Sequence, residues 1–277
     1  MAQTINTNVM SLTAQRNLSV SQKELSVSMQ RLSSGLRVNS AKDDSAGLAI
    51  AERMNSQIRG MNVAVRNAND GVSLAQTAEG GLQEINNMLQ RMRELSVQSA
   101  NGTNSSADRG NLDAEFQALN SEIARIAQTT SFNGTAILDA SGSGESIVFQ
   151  VGANISSGNT LEINLKEIQG VGGAAASTTG ITTVSSTTEA IGLIDAMIDE
   201  ITTARADYGA VQSRFESAVN NLQISMENQS AARGRIMDAD FAVETASMTR
   251  AQILQQAGNA MVSQANSAPQ SVLQLLG

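Results

Sequence analysis

The sequence runs to 277 residues with 18 Lys and Arg against 26 Asp and Glu, a formal charge of −8, and it contains no His, no Cys and no Trp. These absences remove the imidazole proton shuttle, the thiolate nucleophile, the usual zinc and haem ligands and any disulfide framework, so no metal, cofactor or catalytic residue is expected. The acidic balance suits a phosphate backbone poorly, and no nucleic-acid partner is expected.

The N-terminus lacks a basic start and an apolar run, its first cationic side chain being Arg16, so no cleaved secretory leader is expected. Ile5, Val9 and Leu12 keep helical spacing on a shifted face. From Leu18 the apolar residues step by about seven, alternating four and three, through Leu25, Met29, Leu32 and Leu36. Lys42-Asp43-Asp44-Ser45 then offers acids and a hydroxyl at the start of a new helix, where free N–H groups and the dipole favour them. A long seam follows through Met54, Met61, Ala68, Ala75, Leu82, Leu89 and Met92 as far as the turn signal Asn101-Gly102-Thr103-Asn104. A shorter helix carries Leu112, Phe116, Leu119, Ile123 and Ile126.

The middle changes character. Phe132-Asn133-Gly134 is a turn signal. Ile147-Phe149-Val151 and Leu161-Ile163-Leu165 alternate at period two, which predicts a β-hairpin at about residues 145–166. The stretch at about 170–188, mostly Gly, Ala, Ser and Thr, predicts a variable loop.

Towards the C-terminus Ile194, Ile201, Tyr208, Phe215 and Leu222 repeat every seven residues. A final helix shows Ile253, Leu254, Ala257, Met261, Val262 and Ala265, and a Leu-rich tail ends at Leu273, Leu275 and Leu276. Such a period fits either supercoiled helices or an ordinary amphipathic bundle. A period sustained this long favours the first, and length predicts a rod: a helix over residues 46–100 spans roughly 80 Å at ~1.5 Å per residue, against roughly 50 Å across a compact globule of this size. The expected fold is mainly α, a long antiparallel coiled-coil rod with paired N- and C-terminal helices and a small β-hairpin. No run of about 18 apolar residues occurs, so no membrane span is expected.

Candidate sites are few. Asp43 and Asp44 could pair for metal or acid–base work, but helix capping accounts for them. Gly170-Val171-Gly172-Gly173-Ala174-Ala175 fits the loose dinucleotide fingerprint yet lacks a strand before it and a helix after it. Asn-x-Ser/Thr triplets start at Asn17, Asn101, Asn104, Asn133, Asn154 and Asn228, as a chain rich in these residues produces by chance. Methionines at helical spacing read as core, with an adaptable binding surface as the alternative. The terminal stripes have no sheet or aromatic cluster to cover them, so they read as assembly surfaces.

The runs Arg31–Met54 (RLSSGLRVNSAKDDSAGLAIAERM) and Asn69–Thr103, the turn Phe132–Gly134, the stretch Phe149–Asn154, the run Arg233–Ala246 and the ending Ser271–Gly277 resemble those of bacterial flagellins. The resemblance implies a discontinuous inner-core coiled coil over 1–44 and 237–277 and an outer-core domain over 45–236. It implies a secreted, extracellular structural subunit that self-polymerises into the flagellar filament and catalyses no reaction. Its polymerisation helices would carry Leu18, Leu25, Met29, Leu32, Leu36, Ile253, Leu254, Met261, Leu273 and Leu276, and would order only on joining the filament. Implied partners are a dedicated export chaperone, the type III export apparatus, and hook-associated and cap proteins. In many flagellins a host Toll-like receptor reads a motif similar to Gln90-Arg91-Met92-Arg93-Glu94-Leu95 with a further contact at Glu115; Met92 and Ser96 depart from the commonest pattern. A hook–filament junction protein shares the terminal helices and is the nearest alternative; a monomeric adhesin rod is a second.

Overall fold

A computed structural model describes residues 7–138, 146–165 and 180–273. Five helices are present among them: α1 (Val9–Ser34), α2 (Ser45–Ser99), α3 (Ser106–Thr129), α4 (Val184–Met237) and α5 (Phe241–Leu273). Two small antiparallel hairpins join them, β1 (Ser131–Phe132) with β2 (Thr135–Ala136) and β3 (Ser146–Gln150) with β4 (Thr160–Asn164). The chain divides into two compact units, one up to Ser56 and from Asn228 onward, the other Gln57–Glu227. These borders fall inside α2 and α4, inward of the junctions at 44/45 and 236/237 implied by the resemblance.

Local chemistry sets the helix ends. The Asp44 carboxylate accepts from the Gly47 amide at 2.8 Å and caps α2, while Asp43 closes a turn by accepting from the Asn39 and Ser40 amides. Those bonds, that from Asn39 foremost, hold the Asp43 carboxyl below its usual pKa. Gly35, at φ 72°, ends α1 in the left-handed conformation that glycine enters without steric cost. Ser105 and Asp108 form a reciprocal capping box on α3. Asn133 (φ 50°) and Gly134 (φ 82°) supply the two positive φ angles of a tight hairpin turn between β1 and β2.

In the Gln57–Glu227 unit, α2 and α4 run antiparallel, with Glu79 receiving Gln212 at 3.0 Å and Arg93 donating to Asp195 at 2.6 Å. The seven-residue row of α4 is the buried one: Ile194, Ile201, Tyr208, Phe215 and Leu222 are each no more than 9 % exposed. Leu82, Ile85, Leu89 and Met92 of α2 and Phe116 and Ile123 of α3 complete the core. The β3–β4 hairpin pairs Ile147 with Ile163 and Phe149 with Leu161, and it lays Phe149 edge-on against Phe215 at 5.5 Å. The expected loop at 170–188 ends sooner than its composition implies, because residues 184–188 already belong to α4. There the Thr187 hydroxyl donates to the Thr183 carbonyl at 2.6 Å, and the Thr183 and Ser186 side chains cap one another's amides.

The other unit is built on α1 and α5, also antiparallel: Ser11 bonds Asn266, Leu18 lies against Gly258, and Arg31 reaches Glu244. Past Gly35 the chain pairs with the segment between α4 and α5, through Arg37 N–H to the Met237 carbonyl at 2.6 Å and Ala239 N–H to the Gly35 carbonyl at 2.9 Å.

Candidate functional site

The residues buried between α1 and α5 are small or polar. On α1 they are Ser11, Ser21 and Ser28; on α5 they are Glu244, Ala251 and Ala265. Glu244, Ala251, Gly258 and Ala265 stand seven apart, so α5 does have a heptad seam, but one of small residues. With almost no side chain between them the helices draw close, and Cα atoms of the two come within 8 Å of each other. Most of the polar groups are paired: the Ser11 hydroxyl donates to the Asn266 side chain at 2.7 Å, the Asn8 side-chain amide to the Ala265 carbonyl at 2.7 Å, and Ser21 to the Asn17 carbonyl at 3.1 Å.

The large apolar residues point elsewhere. Ile253, Leu254 and Met261 are 61 %, 46 % and 61 % exposed, and Met29 is 55 % exposed. Val9, Met10, Phe241 and Val243 are exposed as well. Leu18, Leu25, Leu32 and Leu36 are half-buried along the flanks of the pair. Leu273 ends α5 with its side chain outside the described residues; Leu276 and the Gly170–Ala175 run lie outside them altogether. Apolar patches therefore open on this unit: a groove between the helices lined by Met10, Leu18, Leu254 and Met261, and a strip of α5 lined by Phe241, Ala246, Ile253 and Leu254. Contiguous exposed apolar surface of this kind marks an interaction site.

A polar cluster lies on the other unit. Arg91 bonds Glu94 one turn along α2 at 3.0 Å and Glu115 on α3 at 2.9 Å. Those carboxylates, Glu94 foremost, hold the guanidinium above its usual pKa. Gln90 is exposed beside it. Leu95 is 1 % exposed and sits in the core of this unit, one residue along α2 from Glu94. Among the described residues no three Asp or Glu gather as a metal site, and no helix is long and apolar enough to cross a membrane.

Sequence reasoning missed the Ser/Ala/Gly seam and the Arg31–Glu244 pair. The signal was available as the seven-residue spacing of Glu244, Ala251, Gly258 and Ala265, which a search for large apolar residues passes over.

Terminal helices that pair through small residues and present their large ones outward are those of a structural subunit made to associate. The description "Bacterial flagellin N-terminal helical region" matches residues 5–143, and "Bacterial flagellin C-terminal helical region" matches 191–276. The chain is 45 % identical over 273 residues to a flagellin of Halalkalibacterium halodurans, covering 98 % of this chain and 99 % of that one. It is 38 % identical over 379 aligned positions to flagellin C of Vibrio cholerae serotype O1, with both chains covered in full. The crystal structure of Bacillus cereus flagellin aligns with 57 % of this chain and 88 % of that one, at 33 % identity and a TM-score of 0.51. The chain belongs to the bacterial flagellin family. It is a structural subunit of the flagellar filament, and a hook–filament junction role is not favoured.

Proposed function

We propose that this chain polymerises through the outward apolar faces of α1 and α5, with Met29, Ile253, Leu254 and Met261 meeting neighbouring copies and Leu18, Leu25, Leu32 and Leu36 sealing the flanks. Leu273 and Leu276 belong to the same proposed polymerisation set, their side chains lying outside the described residues. One observation carries this reading: the pair buries small and polar residues within itself and leaves Met10, Met29, Ile253, Leu254 and Met261 exposed. Burying a Leu or Ile side chain contributes about 1.5–3 kcal/mol and an alanine far less, while ordering each backbone residue costs about 1–2 kcal/mol. On this reading, neighbouring copies that cover the outward apolar side chains offset the cost of ordering the pair. Residues 1–44 and 237–277 are then the inner core and 45–236 the outer core, and the termini order on joining the filament, which restrains premature polymerisation. Hydrogen exchange on free subunits should be fast across α1 and α5 and slow in assembled filaments; strong protection in free subunits contradicts the proposal.

On the same reading the subunit is extracellular, leaves the cell through the type III export apparatus with a chaperone on its apolar C-terminal tail, and meets hook-associated and cap proteins at the filament ends. It acts as a passive structural element and catalyses no reaction. A host Toll-like receptor would engage Gln90, Arg91 and Glu115 on the exposed α2–α3 face, with Leu95 holding Arg91's helix in place. The support is the Arg91–Glu115 ion pair, which presents both side chains half-exposed on one surface. A receptor reporter assay should show a lower response to Arg91→Ala, and an undiminished response refutes the assignment.

A further inference from the structure

The chain has 12 methionines and no cysteine, so the thioether is its readily oxidised sulfur group. Among the described residues the exposed methionines all lie on the terminal helices: Met10 at 68 % and Met29 at 55 % on α1, and Met261 at 61 % on α5. Met54, Met237 and Met248 of the terminal unit are half-buried. In the Gln57–Glu227 unit, Met61, Met92 and Met197 are 5 %, 0 % and 6 % exposed, and Met88 and Met226 are half-buried. Met10 and Met261 also line one groove, from opposite helices.

We propose that Met10 and Met261 form an oxidation-sensitive site, at which a peroxide converts the free subunit into one that no longer enters the filament. This rests on the reading that the outward face of α1 and α5 is covered by neighbouring copies. A sulfur lone pair attacks one peroxide oxygen, the O–O bond breaks, an S–O bond forms and water leaves after proton transfer; sulfur loses two electrons and the peroxide gains them. The thioether becomes a sulfoxide, polar and chiral, with an oxygen that needs a hydrogen-bond donor once buried. The groove has few to give. Its Thr13 and Ser21 hydroxyls already donate to the Val9 and Asn17 carbonyls, which leaves the Asn17 amide as the remaining side-chain donor among its lining residues. Covering two sulfoxides with a neighbour's apolar side chains therefore strands at least part of their polarity. In the assembled filament the same sulfurs are out of reach, so oxidation selects free subunits.

The test treats free subunits and filaments of the full chain with hydrogen peroxide, maps sulfoxides by peptide mass spectrometry, and then measures the critical concentration for polymerisation. Met10 and Met261 should oxidise several-fold faster than Met61, Met92 and Met197, and faster in free subunits than in filaments. The critical concentration should rise by about tenfold, the scale set by stranding a polar group on burial. The volume-conserving M10L/M261L variant, which keeps Met29, should lose far less of its polymerisation to peroxide than wild type does. Treated wild type that polymerises like untreated protein overturns the proposal, as does a double variant that peroxide disables equally. Methionine sulfoxide reductase should restore treated wild type, and no recovery after verified reduction of both sulfoxides also overturns it. The assembly reading fails on separate grounds, if untreated chains lacking α1 or α5 still polymerise.

Discussion

Arg31 on α1 and Glu244 on α5 stand 213 residues apart in the sequence and meet through a 2.9 Å ion pair whose Glu244 side chain is 11 % exposed. The pair lies in the one seam whose other members are Ser, Ala and Gly, residues too alike in size to fix how far one helix slides along the other. The ion pair ties that register at one end of the seam, as the Ser11–Asn266 and Asn8–Ala265 hydrogen bonds do at the other. Glu244→Leu leaves the Arg31 guanidinium facing an apolar seam and should cost about 1–3 kcal/mol. Glu244→Gln keeps an acceptor and should cost less. Filament melting followed by circular dichroism checks the order; equal melting of both variants and wild type contradicts it.

Three glycine positions separate helix propensity from packing. A Cβ at Gly71 would meet the Phe215 ring at 2.7 Å, whereas one at Gly80 or Gly209 meets nothing within 4 Å. Glycine to alanine in a helix interior contributes about 1 kcal/mol in propensity, and overpacking costs about 1–3 kcal/mol. Phe215 is fully buried and its ring cannot bend aside, so Gly71→Ala should lower the melting temperature of the helical core, while Gly80→Ala and Gly209→Ala raise it. A Gly71→Ala variant as stable as Gly80→Ala contradicts this account of the α2·α4 contact.

The Ser105–Asp108 box predicts a pH dependence at the start of α3. The Asp108 carboxyl lies below its usual pKa because the Ser105 hydroxyl, foremost, and the Ser105 amide donate to it. A carboxyl depressed on folding adds stability above its unfolded pKa, and that stability disappears as pH falls through the lower folded value. Amide exchange in the first turn of α3, corrected for intrinsic rates, should speed up below about pH 4 in wild type. Ser105→Ala should show faster exchange there already at neutral pH. A first turn whose protection ignores both changes contradicts the capping role.

The core of the Gln57–Glu227 unit was legible because its periodic residues are large: the row from Ile194 to Leu222 needs only spacing to be read, and all five of its members are buried. The period-two stretches around Phe149 and Ile163 marked a hairpin for the same reason. The terminal pair obeys a different rule. Leu254 and Met261 keep helical spacing, yet spacing alone does not say whether a stripe faces its partner helix or a neighbouring copy. Only the placement of Ala251, Gly258 and Ala265 against α1 decides that. Leu95 shows the same limit, since motif resemblance placed it among contact residues and packing placed it in the core.

The most direct test of the central claim is negative-stain electron microscopy of the full chain beside the variant I253S/L254S/M261S, each with and without a precipitating salt that strengthens apolar burial. These side chains are exposed in the subunit, so the substitutions leave its own α1·α5 seam intact. Long filaments of uniform width from the parent chain and dispersed subunits from the variant are the predicted result. Filaments of equal length and abundance from both contradict the claim that the outward face of the terminal helices drives assembly.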